Sequence, residues 1–528
     1  MRPTKMTKAI SKTQLLLVPM VAVILLLAAT AHAAAPGITG PTFNLTAQPA
    51  FITQPDGQMI YSWGYGCNGA PSGYAPAAIT NGFCNTMQVP GPTLIVTEGQ
   101  TVTVTLTNNL PSPAGNTSIL FPGFNVTATG GVTGLLTKEA AHSGTVTYTF
   151  TAGAPGTRAY YSGTQGDLQV EMGLYGAIIV LPASVPAACT SGLHASNLTA
   201  EAHWGESDFR LAPAAYDHAK TCYDREYLFQ FSEMDPNIHS QALAQVTARI
   251  GCTAGAVGCS LEVPTEPYHP AYYLINGRSM PDNMDPNYAP EYPHQPYNGN
   301  PHMHPGELTL LRIIGTGRWQ HPFHEHANHV RILGRDGNLI LSQTDSTELA
   351  GPLLFTTTTT PGLAMDGIFY YTGKGLNWDM YGHNPGSGDP NATLPCTPDA
   401  NGYNTGAPTA INYYEWCQDH NKPMQASPFG DVAGGGPVTL PDPNLFTNGP
   451  WYGGSPYLGP NATVRATGPT GTTPPSGTIA NSPSSEAGFA FMWHSHNERE
   501  ITTNNVFPGG MLMMMLVDSR EFVIDESN

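Results

Sequence analysis

Two stretches restrict the fold of this chain more than any other feature: "TVTVTLTNN" from Thr101 and "GTVTYTFTAG" from Gly144. In the first, Val102, Val104 and Leu106 alternate with threonine; in the second, Val146, Tyr148 and Phe150 do the same. Successive side chains of a strand point to opposite faces, so a period of two predicts half-buried strands with one wet face. The continuous apolar run "LYGAIIVLP" from Leu174 predicts a more deeply buried strand that closes the block. Residues 38–185 are thus expected to form one β-sandwich.

The pattern restarts after a Cys-bounded connector at 186–223, with "DREYLFQFSEMD" from Asp224 and "ELTLLRIIG" from Glu307. The hairpin-like "HVRILGRDGNLI" from His329 and the terminal "GGMLMMMLV" from Gly509 continue it. Residues 224–528 are read as a second sandwich. Within it, a Gly/Pro/Asn/Ser-rich stretch at about 378–485 is too long for an ordinary loop and is read as an insertion. One helix is expected at "SQALAQVTARI", capped by Ser240, with Leu243, Val246 and Ile250 on one side. Charged residues make up only 11% of the chain while Gly and Pro number 107, a composition that suits a loop-rich all-β protein.

Residues 1–33 read as a secretory leader. Arg2, Lys5, Lys8 and Lys12 stand without an acidic residue before the apolar run Leu15 to Ala29, and Ala31-His32-Ala33 offers a small-x-small cleavage site. Without those four basic residues, 16 Lys and Arg face 38 Asp and Glu, a net charge of −22. Phosphate binding needs basic surface, so nucleic acid is excluded as a partner. No later segment is apolar enough to span a membrane. Eight cysteines in an exported chain imply disulfides. Proximity suggests Cys67 with Cys84, Cys189 with Cys222, Cys252 with Cys259, and Cys396 with Cys417, although sequence alone does not fix connectivity. The expected location is periplasmic or extracellular.

The chemistry-bearing residues are histidines. "HPFHEHANHVRILG" places His321, His324 and His326 within six positions of a chain that has 18 histidines, and "FMWHSHNERE" adds His494 and His496. Residues two apart in a strand share a face, so each H-x-H pair presents two imidazoles side by side. Glu325 and Ser495 then point the other way. Two neighbouring strands bearing such pairs bring four neutral nitrogens together, a donor set that suits copper or zinc, with copper favoured on affinity. Met511, Met513 and Met515 alternate along one face and read as core. His302 and His304 in "PHMH" read as a solvent-exposed loop before the Glu307 strand. Nucleophilic motifs (G-x-S-x-G), H-E-x-x-H and a P-loop are all missing, and "DNMDPN" from Asp282 lacks the spacing of an EF-hand loop.

"HPFHEHANHVRIL" resembles the H-P-x-H-x-H segment of multicopper oxidases, and "WHSHNEREITTNNVFPGGM" is similar to a variant of their terminal H-C-H segment. "VPGPTLIVTEGQTVTVTLTNNLP" from Val89 and "YLINGRSMPD" from Tyr273 are similar to their strand-opening segments. The resemblance implies two cupredoxin-like Greek-key sandwiches, and it covers most of residues 40–345 and 486–520. It also marks departures. "TSILFPGF" from Thr117 stands where the family has T-S-I-H-W-H-G, so Leu120 and Pro122 fall at ligand positions. In "GTRAYYSGTQGDLQVEMGLYGAIIV", Tyr161 and Gly163 replace two more histidines. Ser495 occupies the place of the blue-copper cysteine and Glu500 that of a further histidine, so no normal blue-copper site is expected. In an alternative alignment "HSH" matches a non-terminal H-S-H segment, where serine is usual. His321 is the blue-copper histidine by family position and, without the cysteine, a structural or supporting residue.

What the resemblance implies is a reduced copper site, type-3-like or mononuclear, at His324, His326, His494 and His496, with His321 as a fifth candidate ligand. Three functions follow as alternatives: an oxidoreductase acting on small phenols or metal ions, a non-catalytic copper-binding or copper-handling protein, and a structural or assembly protein. Two-domain relatives imply a homotrimer, or an unlike chain that supplies the missing ligands.

Overall fold

The computed structural model describes residues 34–79, 82, 84–372, 395–417, 454–458, 479–480, 487–518, 520 and 523–526. The expected leader at 1–33 and most of the expected insertion lie outside these residues.

The threonine-rich strands pair as their sequence requires. Thr101–Asn108 runs antiparallel to Thr145–Thr151, with Val104 opposite Tyr148 and Val102 opposite Phe150. Facing residues share a face, so Val102, Val104, Leu106, Val146, Tyr148 and Phe150 are all buried on one side. These strands belong to a five-stranded sheet, and a second five-stranded sheet contains Gly156–Tyr161, Tyr175–Leu181 and Leu94–Thr97. Leu94, Val96, Ile178 and Val180 from the second sheet close the same core. Each such burial contributes about 1.5–3 kcal/mol.

The second sandwich pairs two seven-stranded sheets. One orders Tyr272–Ile275, Arg225–Met234, Leu308–Gly315, Ala364–Tyr370 and Val330–Arg335. The other orders His302–Met303, Leu512–Asp518, Ala487–Ser495, His321–Glu325 and Thr356–Thr359. Phe229, Phe231, Ile313, Phe323, Phe369 and Trp493 fill the space between them, with Met511, Met513 and Met515 fully buried beside them. The Val330 strand turns back through Asp336 (φ 49°) and Gly337 (φ 71°) to Asn338–Leu339. Two residues at positive φ make the tight hairpin that an Asp-Gly pair favours.

An apolar cluster joins the sandwiches: Ala159, Ala177 and Ile179 meet Leu228, Ile314 and Ala364. Beside it, buried Asp366 accepts the Thr157 N–H at 3.0 Å, the Thr157 hydroxyl at 2.6 Å and the Tyr216 hydroxyl at 2.6 Å. All four disulfides join the cysteines that proximity suggests.

Three expectations need correction. The expected helix spans Pro236–Ala248 and is capped by Asp235, whose carboxylate accepts the Asn237 N–H at 2.9 Å. Ser240 sits inside it, bonded to the Pro236 carbonyl, and Ile250, past the helix end, is 79% exposed. The connector holds a second helix, Gly192–Trp204, that lacks a clear apolar stripe. The third correction concerns His302 and His304, which are buried rather than exposed. His302–Met303 adds a parallel strand beside Leu512–Asp518. His302 meets the Asp518 carboxylate, and His304 lies 2.7 Å from Glu206 and 3.0 Å from the Asp518 carbonyl. Polar partners far away in sequence satisfy both rings, which is what permits their burial.

Candidate metal centre

His321–Glu325 lies antiparallel to Ala487–Ser495, with His324 directly opposite His494. The flanking pairs, Phe323 with Ser495 and Glu325 with Trp493, take the other face. His326 and His496 follow the ends of their strands. The bend after His326 passes through Ala327 at φ 82°, a strained conformation for a residue with a Cβ. Trp493, fully buried, donates its indole N–H to the His326 carbonyl at 3.1 Å and fixes that bend from below.

The four rings gather into one cluster. Ring centroids are 5.0 Å apart for His324 and His326, 5.8 Å for His324 and His494, and 4.6 Å for His324 and His496. His494 is 5.1 Å from both His326 and His496. The Nε2 atoms of His326 and His494 stand 3.2 Å apart. His494 Nδ1 is 2.9 Å from the Ser495 carbonyl. A carbonyl only accepts, so Nδ1 carries the proton and Nε2 keeps its lone pair. His324, His326 and His494 are buried while His496 is exposed, so the cluster opens to the surface at one edge. Phe355, 44% exposed, packs edge-on against His324 there. Burial, and then the facing imidazoles of His326, His496 and His494, lower the His324 pKa to about 4. The His494 pKa is also lowered, chiefly by burial. Both rings are therefore held neutral at physiological pH, the form that binds metals.

The structure does not bring His321 into this cluster. Its Nε2 lies 2.9 Å from Glu233 and its Nδ1 2.9 Å from Glu500, all three side chains being fully buried. Burial pulls the imidazole pKa down, but the hydrogen bonds to Glu233 and Glu500 outweigh it and raise the value to about 9. Ser495 donates its hydroxyl to the same Glu500. Histidine, serine and glutamate thus form one closed ion cluster where the family resemblance implies a blue copper. Sequence reasoning placed Glu500 but missed Glu233. The only signal for it was a charged "SEMD" ending on an otherwise apolar strand.

In the first sandwich, Leu120 and Tyr161 pair through their backbones at 2.7 and 3.3 Å. Leu120 packs over Gly163 so closely that a Cβ there would lie 2.7 Å from Leu120 Cγ. No imidazole stands at these positions.

Against this geometry, one family profile, described as multicopper oxidase, matches residues 76–184. The match falls within the first sandwich. Among solved structures, the multicopper oxidase mgLAC is 14% identical, with 92% of this chain and 88% of that one covered and a TM-score of 0.43. A blue copper oxidase from Nitrosomonas europaea is 15% identical, with 90% and 85% covered and a TM-score of 0.42. A copper nitrite reductase from the same organism is 19% identical, with 63% and 85% covered and a TM-score of 0.37. No curated protein matches the chain in sequence.

That family implies copper, and the histidines that could hold it lie in the second sandwich, outside the matched segment. Two nitrogens each about 2.0 Å from one metal ion stand about 2.9–3.4 Å apart, and the His326 and His494 Nε2 atoms, at 3.2 Å, meet that span. Among the described residues, however, no group of three or more His, Cys, Asp or Glu side chains is posed around a single ion. The donor chemistry fits copper through one pair at ligand spacing, where the ion would replace the Nε2–H···Nε2 hydrogen bond between the two rings. His324 and His496 must turn their rings to join it.

Proposed function

We propose that this is an exported copper-binding protein whose metal is held by His324, His326, His494 and His496, outside any trinuclear centre between domains. One observation carries the reading: two hydrogen-bonded strands and the turns that follow them gather four imidazoles, with one Nε2–Nε2 pair at 3.2 Å. Bound copper would supply one-electron redox chemistry and open coordination positions. The chain's own residues prepare the seat. The Ser495 carbonyl fixes the His494 tautomer, Trp493 anchors His326, and burial keeps His324 neutral.

Copper binding without turnover is the form of this function that the geometry supports best. In place of a cysteine relay there is the closed cluster of His321, Glu233, Glu500 and Ser495. A second reading, oxidation of small phenols or metal ions, is favoured by the exposed edge at His496. In that reading the reductant meets the imidazole cluster directly. Export is supported by the basic and apolar N-terminus and four disulfides. Among the described residues, no helix is long and apolar enough to cross a membrane.

The test is elemental analysis of the exported protein beside the His324→Ala/His494→Ala double variant, followed by oxygen consumption with a chromogenic phenol. About one to two copper ions per chain, lost in the variant, support the site. Histidine-dependent oxygen uptake then selects the oxidase over the binder. If copper loading leaves both proteins metal-free, the site reading fails and an assembly role for the fold remains.

A further inference from the structure

The first-domain positions that lack histidines do not collapse into solid core. Three of the four, Leu120, Tyr161 and Gly163, border a cavity of about 350 Å³ between the two sandwiches. Leu120, Leu136, Tyr161, Val170 and Tyr175 line it from the first sandwich and Pro361 from the second, and Leu136, 65% exposed, stands at its mouth. None of its lining residues is a histidine, cysteine, methionine or carboxylate, so it holds no metal donors. Arg318 is the one charged lining residue, and its guanidinium is already engaged. It lies 4.1 Å over the Tyr268 ring, donates to the Thr265 carbonyl at 2.9 Å and pairs with Glu266 at 2.8 Å.

Ser162 and Thr316 donate their hydroxyls to Gln169 and to the Phe231 carbonyl, at 2.6 and 2.9 Å, which leaves one polar side chain. The Tyr161 hydroxyl is half-buried and has no hydrogen-bond partner among the described residues. It reaches across to the second sandwich, where a Cβ at Gly362 would stand 3.4 Å from it. Tyr175, by contrast, spends its hydroxyl on Ser232 at 2.8 Å. An apolar cavity at a domain interface with one convergent polar group is the usual form of a small-molecule site.

We infer that this cavity is a binding site for an uncharged bicyclic aromatic or similarly sized apolar molecule bearing a single hydroxyl or carbonyl, which pairs with Tyr161. The size follows from volume: an apolar cavity of about 150 Å³ takes one benzene ring, and this one has room for about two. The neutral charge follows from the lining, because Arg318, its one charged side chain, is already paired with Glu266 and a buried ionic group would find no other counter-ion. The site is independent of the four-histidine cluster, which shares no residue with it.

The probe is 2-naphthol, titrated by calorimetry against the full chain, with naphthalene-2-sulfonate as its charged counterpart. Saturable binding of one 2-naphthol per chain, at least about tenfold tighter than the sulfonate, is expected. Tyr161→Phe, which preserves the ring, should weaken binding by about fivefold, the worth of one hydrogen bond. Gly166 lines the cavity and a Cβ there meets nothing within 4 Å, so Gly166→Trp should fill the space and abolish binding. The His324→Ala/His494→Ala variant should bind 2-naphthol as the wild type does. No saturable binding to the wild type, or binding untouched by both Tyr161→Phe and Gly166→Trp, overturns the assignment. Loss of binding in the histidine variant alone would move the ligand to the metal cluster and also overturn it.

Discussion

At the scale of the residue, the decisive substitutions surround His321. An imidazole between two buried carboxylates is an ion-pair partner, and its lone pairs are not available to a metal. Ser495→Cys alone should therefore produce no intense blue absorption on copper loading, because the thiolate would gain neither His321 nor a histidine at 500. A blue colour from that single change would contradict the closed-cluster description. Glu500→Gln should lower stability by about 1.5–3 kcal/mol in urea unfolding, the worth of a charge-assisted hydrogen bond, because Glu233 still pairs with the imidazolium. The histidines at 324, 326, 494 and 496 were legible as a cluster from their H-x-H spacing. The fate of His321 was not, because Glu233 approaches from a strand 88 positions away.

At the scale of the element, period-two patterns gave the strands directly, since alternation and burial are the same fact seen in sequence and in space. Helices were less legible. Asp235 outcompeted Ser240 as the cap because its carboxylate meets the free N–H of Asn237 at the true helix start, where Pro236 fits the first turn. Helix Gly192–Trp204 escaped notice because it buries Asn197, Ala200 and Glu201, a face without hydrophobic periodicity. The Ala487–Ser495 strand couples core to site. Trp493→Phe keeps the packing but removes the bond to the His326 carbonyl, so it should cost about 1–2 kcal/mol and weaken copper binding. Equal copper affinity in wild type and variant, measured by competition with a chelator, would remove Trp493 from its positioning role.

At the scale of the molecule, a buried ion cluster ties the connector, the second sandwich and the C-terminal segment together. Arg225 donates to Glu206 and Glu307 and lies 3.6 Å from Glu526. Arg225→Met should destabilise the fold by about 3–5 kcal/mol in thermal or urea unfolding, because it leaves buried carboxylates uncompensated. The same cluster sets a pH dependence. Burial pushes the Glu526 carboxyl up to about 8, so the folded state holds its proton more tightly than the unfolded chain does. Its stabilising contribution is complete below the ordinary carboxyl value and is lost as pH rises through about 8. The His321 contribution, complete below the unfolded value near 6.5, is lost as pH rises through about 9. The urea midpoint should therefore fall between about pH 6 and pH 9, and His321→Gln should flatten the upper part of that slope. A midpoint that rises over this range would refute both assignments.

The sequence by itself determined the alternating strands of the sandwiches and the clustering of the H-x-H histidines, because periodicity and short spacing are local properties that a chain carries into any tertiary setting. It could not determine that His302 and His304 are buried, that His321 belongs to two glutamates, or that the missing first-domain ligands border a cavity. Those outcomes depend on what stands opposite each side chain. Glu206, Asp518, Glu233 and Pro361 are brought there by strand order and domain contact, and only the tertiary structure sets either.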